Sequence, residues 1–206
     1  NPYDYDAQLS YLYHLRNVEG VTLSELRKQR EQFNSLFPFA ENLWMEWLED
    51  ELSSEIDTVQ LSSEDIVTKT NYCIRLCQRA INEYYVPSIW AVYLDLLSSS
   101  DNSEEYIRSK YKESIERVGR SFFLSDDIWK LYVDWEKNEL EKRKAFQLKF
   151  SIPSHGLSTF WDTYVNWEKN DIEKDNLRNI YMETMKTLQP VIGQFETQLS
   201  NESVTV

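Results

Sequence analysis

A carboxylate held against a large aromatic ring can act as a general acid, because burial disfavours its charged form and raises its pKa. This chain carries three carboxylates at a repeated spacing that could do so. Glu51, Glu136 and Glu168 each follow a Trp by seven residues and a second aromatic by four: Trp44 and Trp47, Trp129 and Tyr132, Trp161 and Tyr164. A fourth copy, Trp90 and Tyr93, has Leu97 where the Glu belongs. The competing role is structural. A buried charge must be paired, so each Glu would accept hydrogen bonds from an indole N–H, a tyrosine or an Arg on a neighbouring helix. No second carboxylate, His or nucleophile accompanies the Glu at a fixed spacing. The structural role is therefore preferred, and no catalytic residue is assigned.

The remaining chemistry-bearing residues are sparse. His14 and His155 are the only histidines, and with Cys73 and Cys77 they would have to converge from distant places to hold a metal. Zinc sites usually rest on close ligand pairs such as Cys-x-x-Cys. Cys73 and Cys77, four apart on one helical face, are poor disulfide partners and read as small core residues in a reducing compartment. There is no Gly-rich phosphate loop, nucleophile elbow or zincin motif. Neither metal, cofactor nor enzymatic activity is expected.

The spacing itself identifies the elements. Seven residues return almost to the starting azimuth of an α-helix, so the Trp, the aromatic and the Glu are expected to share one helical stripe. Such a seam is a packing surface far more often than a platform for stacking bases. The runs IWKLYVDWEKNE and FWDTYVNWEKND match at seven of twelve positions with an offset of 32. Internal repetition of this kind marks a helical array. Low Gly (4) and Pro (5), against 7 Trp, 13 Tyr and 9 Phe, also favour helix over turn-rich β structure.

Second helices are expected at Leu23–Leu36, Val67–Tyr84, Glu104–Gly119, Leu140–Phe150 and Asp175–Leu188. Several are expected to stop at Pro38, Pro87, Pro153 and Pro190, since proline cannot continue a helix. The stretch Tyr3–Glu19, with Tyr5 and Leu12 at the Trp and Glu positions, supplies a degenerate first helix. Five helix pairs result, at about 1–38, 39–87, 88–124, 125–153 and 154–190 of a repeat domain spanning 1–190. Linkers are placed at Ser53–Asp65, Ser98–Ser103 and Ser154–Gly156. The tail, 191–206, is expected to be partly disordered, above all Asn201–Val206.

The net charge of −13 repels phosphate backbones at long range, which argues against a general nucleic-acid grip. The charge is nevertheless uneven. Between Glu41 and Asp65 there are nine acids and no Lys or Arg. Arg108, Lys110, Lys112, Arg117 and Arg120 cluster on one second helix, and Lys142, Arg143, Lys144 and Lys149 on the next. Solvated helix faces are the plain explanation. The sharper one is a two-toned array whose acidic shoulder and basic flank, notably Arg108, Lys112, Arg117, Arg120, Lys142, Arg143, Lys144 and Lys149, meet different partners. Without a signal-peptide pattern or an apolar run of membrane-spanning length, a soluble intracellular protein is expected, with no membrane partner. It begins at Asn1 and is expected to be a fragment of a longer protein.

Trp-x-x-aromatic-x-x-x-Glu on a first helix, followed by a basic second helix ending near a proline, resembles the half-a-TPR (HAT) repeat of RNA-processing proteins. LWMEWLEDE, IWKLYVDWE and FWDTYVNWE carry the first-helix pattern, and QRAINEYYVPSIW runs from a second helix into the next Trp. The runs YDYDAQLSYLYHLRNVEG, LFPFAENLWMEWLEDE and VPSIWAVYLDL are similar to the branch that recycles the U4/U6 snRNP. The resemblance implies an all-α, right-handed superhelical solenoid of about five antiparallel helix pairs. It also implies a nuclear scaffold that binds spliceosomal or snRNP proteins, with RNA bound mainly through domains outside this chain and self-association open to it. Two alternatives stay open: direct RNA binding through the basic helices, and the HAT scaffold of another splicing or mRNA 3′-end cleavage factor.

Overall fold

The computed structural model describes residues 3–53 and 63–202. Ten helices and no strand occur among the described residues. They divide between two compact units, Asn1–Ser103 and Glu104–Val206.

The first unit holds α1 (Tyr5–Asn17), α2 (Leu23–Leu36), α3 (Glu41–Ser53), α4 (Ser63–Glu83) and α5 (Pro87–Ser98). Local sequence sets several ends. The Asp4 side chain accepts from the Ala7 N–H and starts α1. Thr22 and Glu25 form a reciprocal capping box at the start of α2. Between these helices Gly20 turns the chain at φ 89°, a conformation that side-chain-bearing residues rarely adopt. Pro87 occupies the first turn of α5, where its missing N–H costs nothing. Helix α1 packs on α2, α3 on α4, and α5 on both α3 and α4. Their shared core centres on Phe33, Phe39, Trp44, Trp47 and Trp90, all at most 2% exposed. The Trp44 and Trp47 rings lie 5.7 Å apart and nearly parallel.

The second unit holds α6 (Glu104–Val118), α7 (Asp126–Trp135), α8 (Glu139–Phe150), α9 (Leu157–Trp167) and α10 (Asp171–Glu202). Helix α7 packs against α6 and α8, and α8 packs against α9 and α10. Tyr111, Trp129, Tyr132, Phe146, Phe150 and Tyr164 form the core. Trp161 is only half-buried, and its ring stacks 4.7 Å from that of Tyr181. These aromatics are packing residues in both units.

Three expectations need correction. Glu136 and Glu168 do not lie on the helical stripe of their Trp. Helices α7 and α9 end at Trp135 and Trp167, and each Glu is the extended C-cap beyond. Only Glu51 sits inside its helix. The cause is the Asn two residues after each Glu. Asn138 accepts from the Leu140 and Glu141 N–H groups, and Asn170 from Ile172, so a new helix is capped before the old one could continue. Pro190 does not end its helix: α10 runs through it to Glu202. The ring fixes φ near a helical value, so the chain continues at the loss of one backbone hydrogen bond. The expected linker Ser53–Asp65 is partly helical, since α4 begins at Ser63. Residues 54–62 of that linker, and 203–206 of the expected tail, lie outside the described residues.

Candidate functional site

The three motif carboxylates are each gripped by an arginine from the preceding second helix. Arg27 Nε and Nη2 donate to Glu51 at 2.7 and 2.5 Å. Arg108 does the same to Glu136 at 2.6 and 2.9 Å, and Arg143 to Glu168 at 2.6 and 3.3 Å. All three are two-pronged forks, the strongest arrangement for an Arg–carboxylate pair. Each carboxylate also accepts local hydrogen bonds. Glu51 also accepts from the Trp47 indole at 3.1 Å. Glu136 accepts from the Asn138 N–H, and Glu168 from Lys169 and Asn170.

The electrostatics at Glu136 and Glu168 run opposite to those of a general acid. Burial pushes the Glu136 carboxyl up, but Arg108 and the Asn138 N–H outweigh it and hold the group below its ordinary value. Arg143 does the same to Glu168 against a smaller effect of burial. A proton donor at neutral pH needs the opposite shift. Nearby, burial pushes the Tyr132 and Tyr164 hydroxyls up to about 12.

The joint between α4 and α5 is built differently. Buried Cys73, Cys77, Ala80 and Ile81 of α4 repeat the spacing of buried Ile107, Tyr111, Ser114 and Ile115 of α6. By that register Ile74 stands where Arg108 stands, and Leu97 stands where Glu136 stands. Both members of the ion pair are replaced together by aliphatic residues. The missing Glu is visible in the sequence and the missing Arg is not, because the arginines carry no motif of their own. Their signal is the constant place of Arg27, Arg108 and Arg143 three residues before the buried positions Arg30, Tyr111 and Phe146.

The cysteines are free and fully buried, and burial lifts the Cys73 thiol to about 11 and the Cys77 thiol to about 12. Among the described residues no three His, Cys, Asp or Glu side chains converge to hold a metal ion. No helix among them is long and apolar enough to cross a membrane.

The basic residues assigned to a partner surface do not share one environment. Lys149 points inward, a correction to its place on that surface. Its ammonium is fully buried between Asp126 Oδ1 at 2.6 Å and Ser154 Oγ at 2.7 Å. By register it occupies the inward position of Ala80 and Ser114. Burial lowers its pKa, and Asp126 partly restores it. Arg108 and Arg143 hold the joints. Lys112 and Lys144 both reach Glu141, at 3.0 and 2.7 Å, and together pull its carboxyl down to about 2. Arg117 pairs with Glu113, Lys142 lies 5.3 Å from the Trp167 ring, and Arg120 is exposed.

Two grooves lie between consecutive first helices, one in each unit. In the first unit a groove of about 740 Å³ runs between α3 and α5, over Met45, Leu48, Leu52 and Val92, with Glu46 and Glu49 at its rim. In the second, one of about 360 Å³ runs between α7 and α9, past Asp127, Lys130, Val133, Asp134 and Thr163. The two share a register. Counting from the Trp of the first helix, Met45 matches Lys130, Leu48 matches Val133 and Glu49 matches Asp134; across the groove, Val92 matches Thr163.

Helix pairs fastened by a recurring Arg–Glu fork, with an aromatic seam inside, define a helical-repeat protein of the half-a-TPR type. The family model of the PRP39 N-terminal HAT repeat matches residues 1–158, and the chain belongs to that family. It is also similar to curated proteins described as "Spliceosome associated factor 3, U4/U6 recycling protein". The mouse protein is 28% identical over 162 residues, covering 74% of this chain and 16% of the relative. The human protein is 25% identical over 166 residues, covering 76% and 16%. A zebrafish relative is 32% identical over 87 residues, covering 42% and 8%. The chain thus spans about a sixth of the length of the mammalian relatives.

Proposed function

We propose that this chain is a protein-interaction scaffold in nuclear RNA processing, serving assembly or recycling of the spliceosomal U4/U6 snRNP. The observation that carries the reading is the family match across 1–158, joined to relatives whose description names U4/U6 recycling. The geometry supports a binding role. The Trp, Tyr and Glu of the motif are used inside the array, so what remains for a partner is the surface between them, as in other repeat proteins. The basic helices support direct RNA binding less well. Lys149 is buried, and Arg108, Arg143, Lys112 and Lys144 already face carboxylates, whereas counterion release on RNA depends on free cations.

The test is recovery of the tagged chain from nuclear extract, followed by probing the co-purified RNA for each spliceosomal snRNA. Enrichment of U4 and U6 over the others is expected. Enrichment of a different snRNA would overturn the U4/U6 assignment and leave the scaffold. Recovery of no snRNP component would overturn both.

A further inference from the structure

We propose that the α3–α5 groove is the docking site for an amphipathic helix of a protein partner, one that carries aliphatic anchors flanked by Lys or Arg. The inference deepens the scaffold reading and shares with it the premise that the chain binds protein.

The shape comes first. Two helices that pack against each other leave a furrow between them, and here its floor is aliphatic. Leu48 is buried at the bottom, Met45 and Val92 are half-buried on the two walls, and Leu52 is 42% exposed at one end. An apolar furrow of this kind accepts the apolar face of a helix, whose anchors recur every three or four residues.

Charge then selects the occupant. Glu46 and Glu49 stand on the rim, and Asp50 follows them on α3. Arg16 of α1 reaches all three, at 3.2, 3.0 and 2.9 Å, and Arg30 also pairs with Asp50. Three carboxylates against two guanidinium groups leave this cluster net negative, and on the rim itself the Glu49 side chain remains 70% exposed. The α3 side of the groove falls within Glu41–Ser53, which contains no Lys or Arg, in a chain of net charge −13; the nearby Lys69 ammonium donates to the Leu52 carbonyl at 3.0 Å, at the end of α3 away from Glu46. An acidic or neutral partner gains nothing from such a field, whereas a basic one is drawn in and oriented by it.

The second unit supplies an internal control. At the same register its groove has Lys130 for Met45 and Thr163 for Val92. The aliphatic walls are therefore particular to α3–α5 and are not a requirement of helix packing.

The probes are two labelled synthetic helices of about five turns with the same Leu face, one filled with Lys and the other with Glu. Each is titrated with the whole chain by fluorescence anisotropy. The Lys peptide is expected to bind and the Glu peptide not to, with affinity falling as salt rises from about 50 to about 300 mM. Val92→Lys should weaken binding about tenfold or more, as loss of a central anchor does. Glu49→Lys should weaken it several-fold, and Thr163→Lys should leave it unchanged. Circular dichroism melts verify that each variant folds. If Val92→Lys melts early, Leu52→Lys at the exposed end of α3 replaces it. Equal affinity for both peptides, no binding of the Lys peptide at low salt, or full affinity in the groove variants overturns the proposal. Any of these outcomes is separable from the snRNA recovery experiment, which does not depend on this groove.

Discussion

The joint at Arg108–Glu136 and the joint at Ile74 and Leu97 occupy the same place in successive repeats, yet one is an ion pair and the other aliphatic. The contrast shows what the recurring Glu is for. A catalytic carboxylate could not be exchanged for Leu together with the exchange of its distant partner for Ile. A fastening could, because a buried pair and a pair of apolar side chains of similar size can hold two helices about equally well. The ion pair adds geometric specificity: the fork accepts one orientation of the carboxylate, and the same carboxylate then caps the turn into the next helix.

That contrast can be broken from either side. The largest effect is expected from Arg108→Met, which strands a fully buried carboxylate; urea unfolding should lose about 3–5 kcal/mol. Next is Leu97→Glu, which puts an unpaired carboxylate into the aliphatic joint at a cost of about 3 kcal/mol. Adding Ile74→Arg should restore at least half of that loss if the two joints are interchangeable, and no rescue would show that they are not. Both losses are read from urea midpoints at constant slope.

A smaller effect is expected from pH. The Glu136 and Glu168 carboxyls are held below their ordinary value when folded, so their stabilisation is present above about pH 4.3 and drains away as pH falls through the depressed value. The wild-type midpoint should therefore drop between about pH 5 and 2 more steeply than that of the Arg108→Met variant. The smallest effect is that of Lys112→Ala, which removes an exposed pair to Glu141 and should change stability by about 0–1 kcal/mol.

Much of this was legible in the sequence. The Trp and aromatic spacing placed the first helices, and the demand that a buried charge be paired left an indole N–H, a tyrosine or a neighbouring Arg as partner of the Glu, of which the Arg recurs at all three. The cysteines were read as core residues and lie at 0% exposure. Three features were not legible, each for a physical reason. Glu136 and Glu168 leave the helix because Asn138 and Asn170 cap the next one, a competition between neighbouring ends that periodicity alone does not register. Pro190 was read as a stop although its φ is helical. Lys149 was counted as surface by its charge, yet its register with Ala80 and Ser114 turns it inward toward Asp126. Of the candidate surface, the basic cluster was visible as composition, but its neutralisation by Glu136, Glu141 and Glu168 depends on residues about 25 to 29 positions away. The α3–α5 groove exists only once two helices meet.

The recurring Glu is a fastening between repeats. The direct measurement is a double-mutant cycle on Arg108→Met and Glu136→Gln in urea unfolding. The double variant is expected to be more stable than the summed single losses imply, with a coupling of about 1.5 kcal/mol or more. Losses that add within about 0.5 kcal/mol would contradict it, since the two side chains would then not act as one joint.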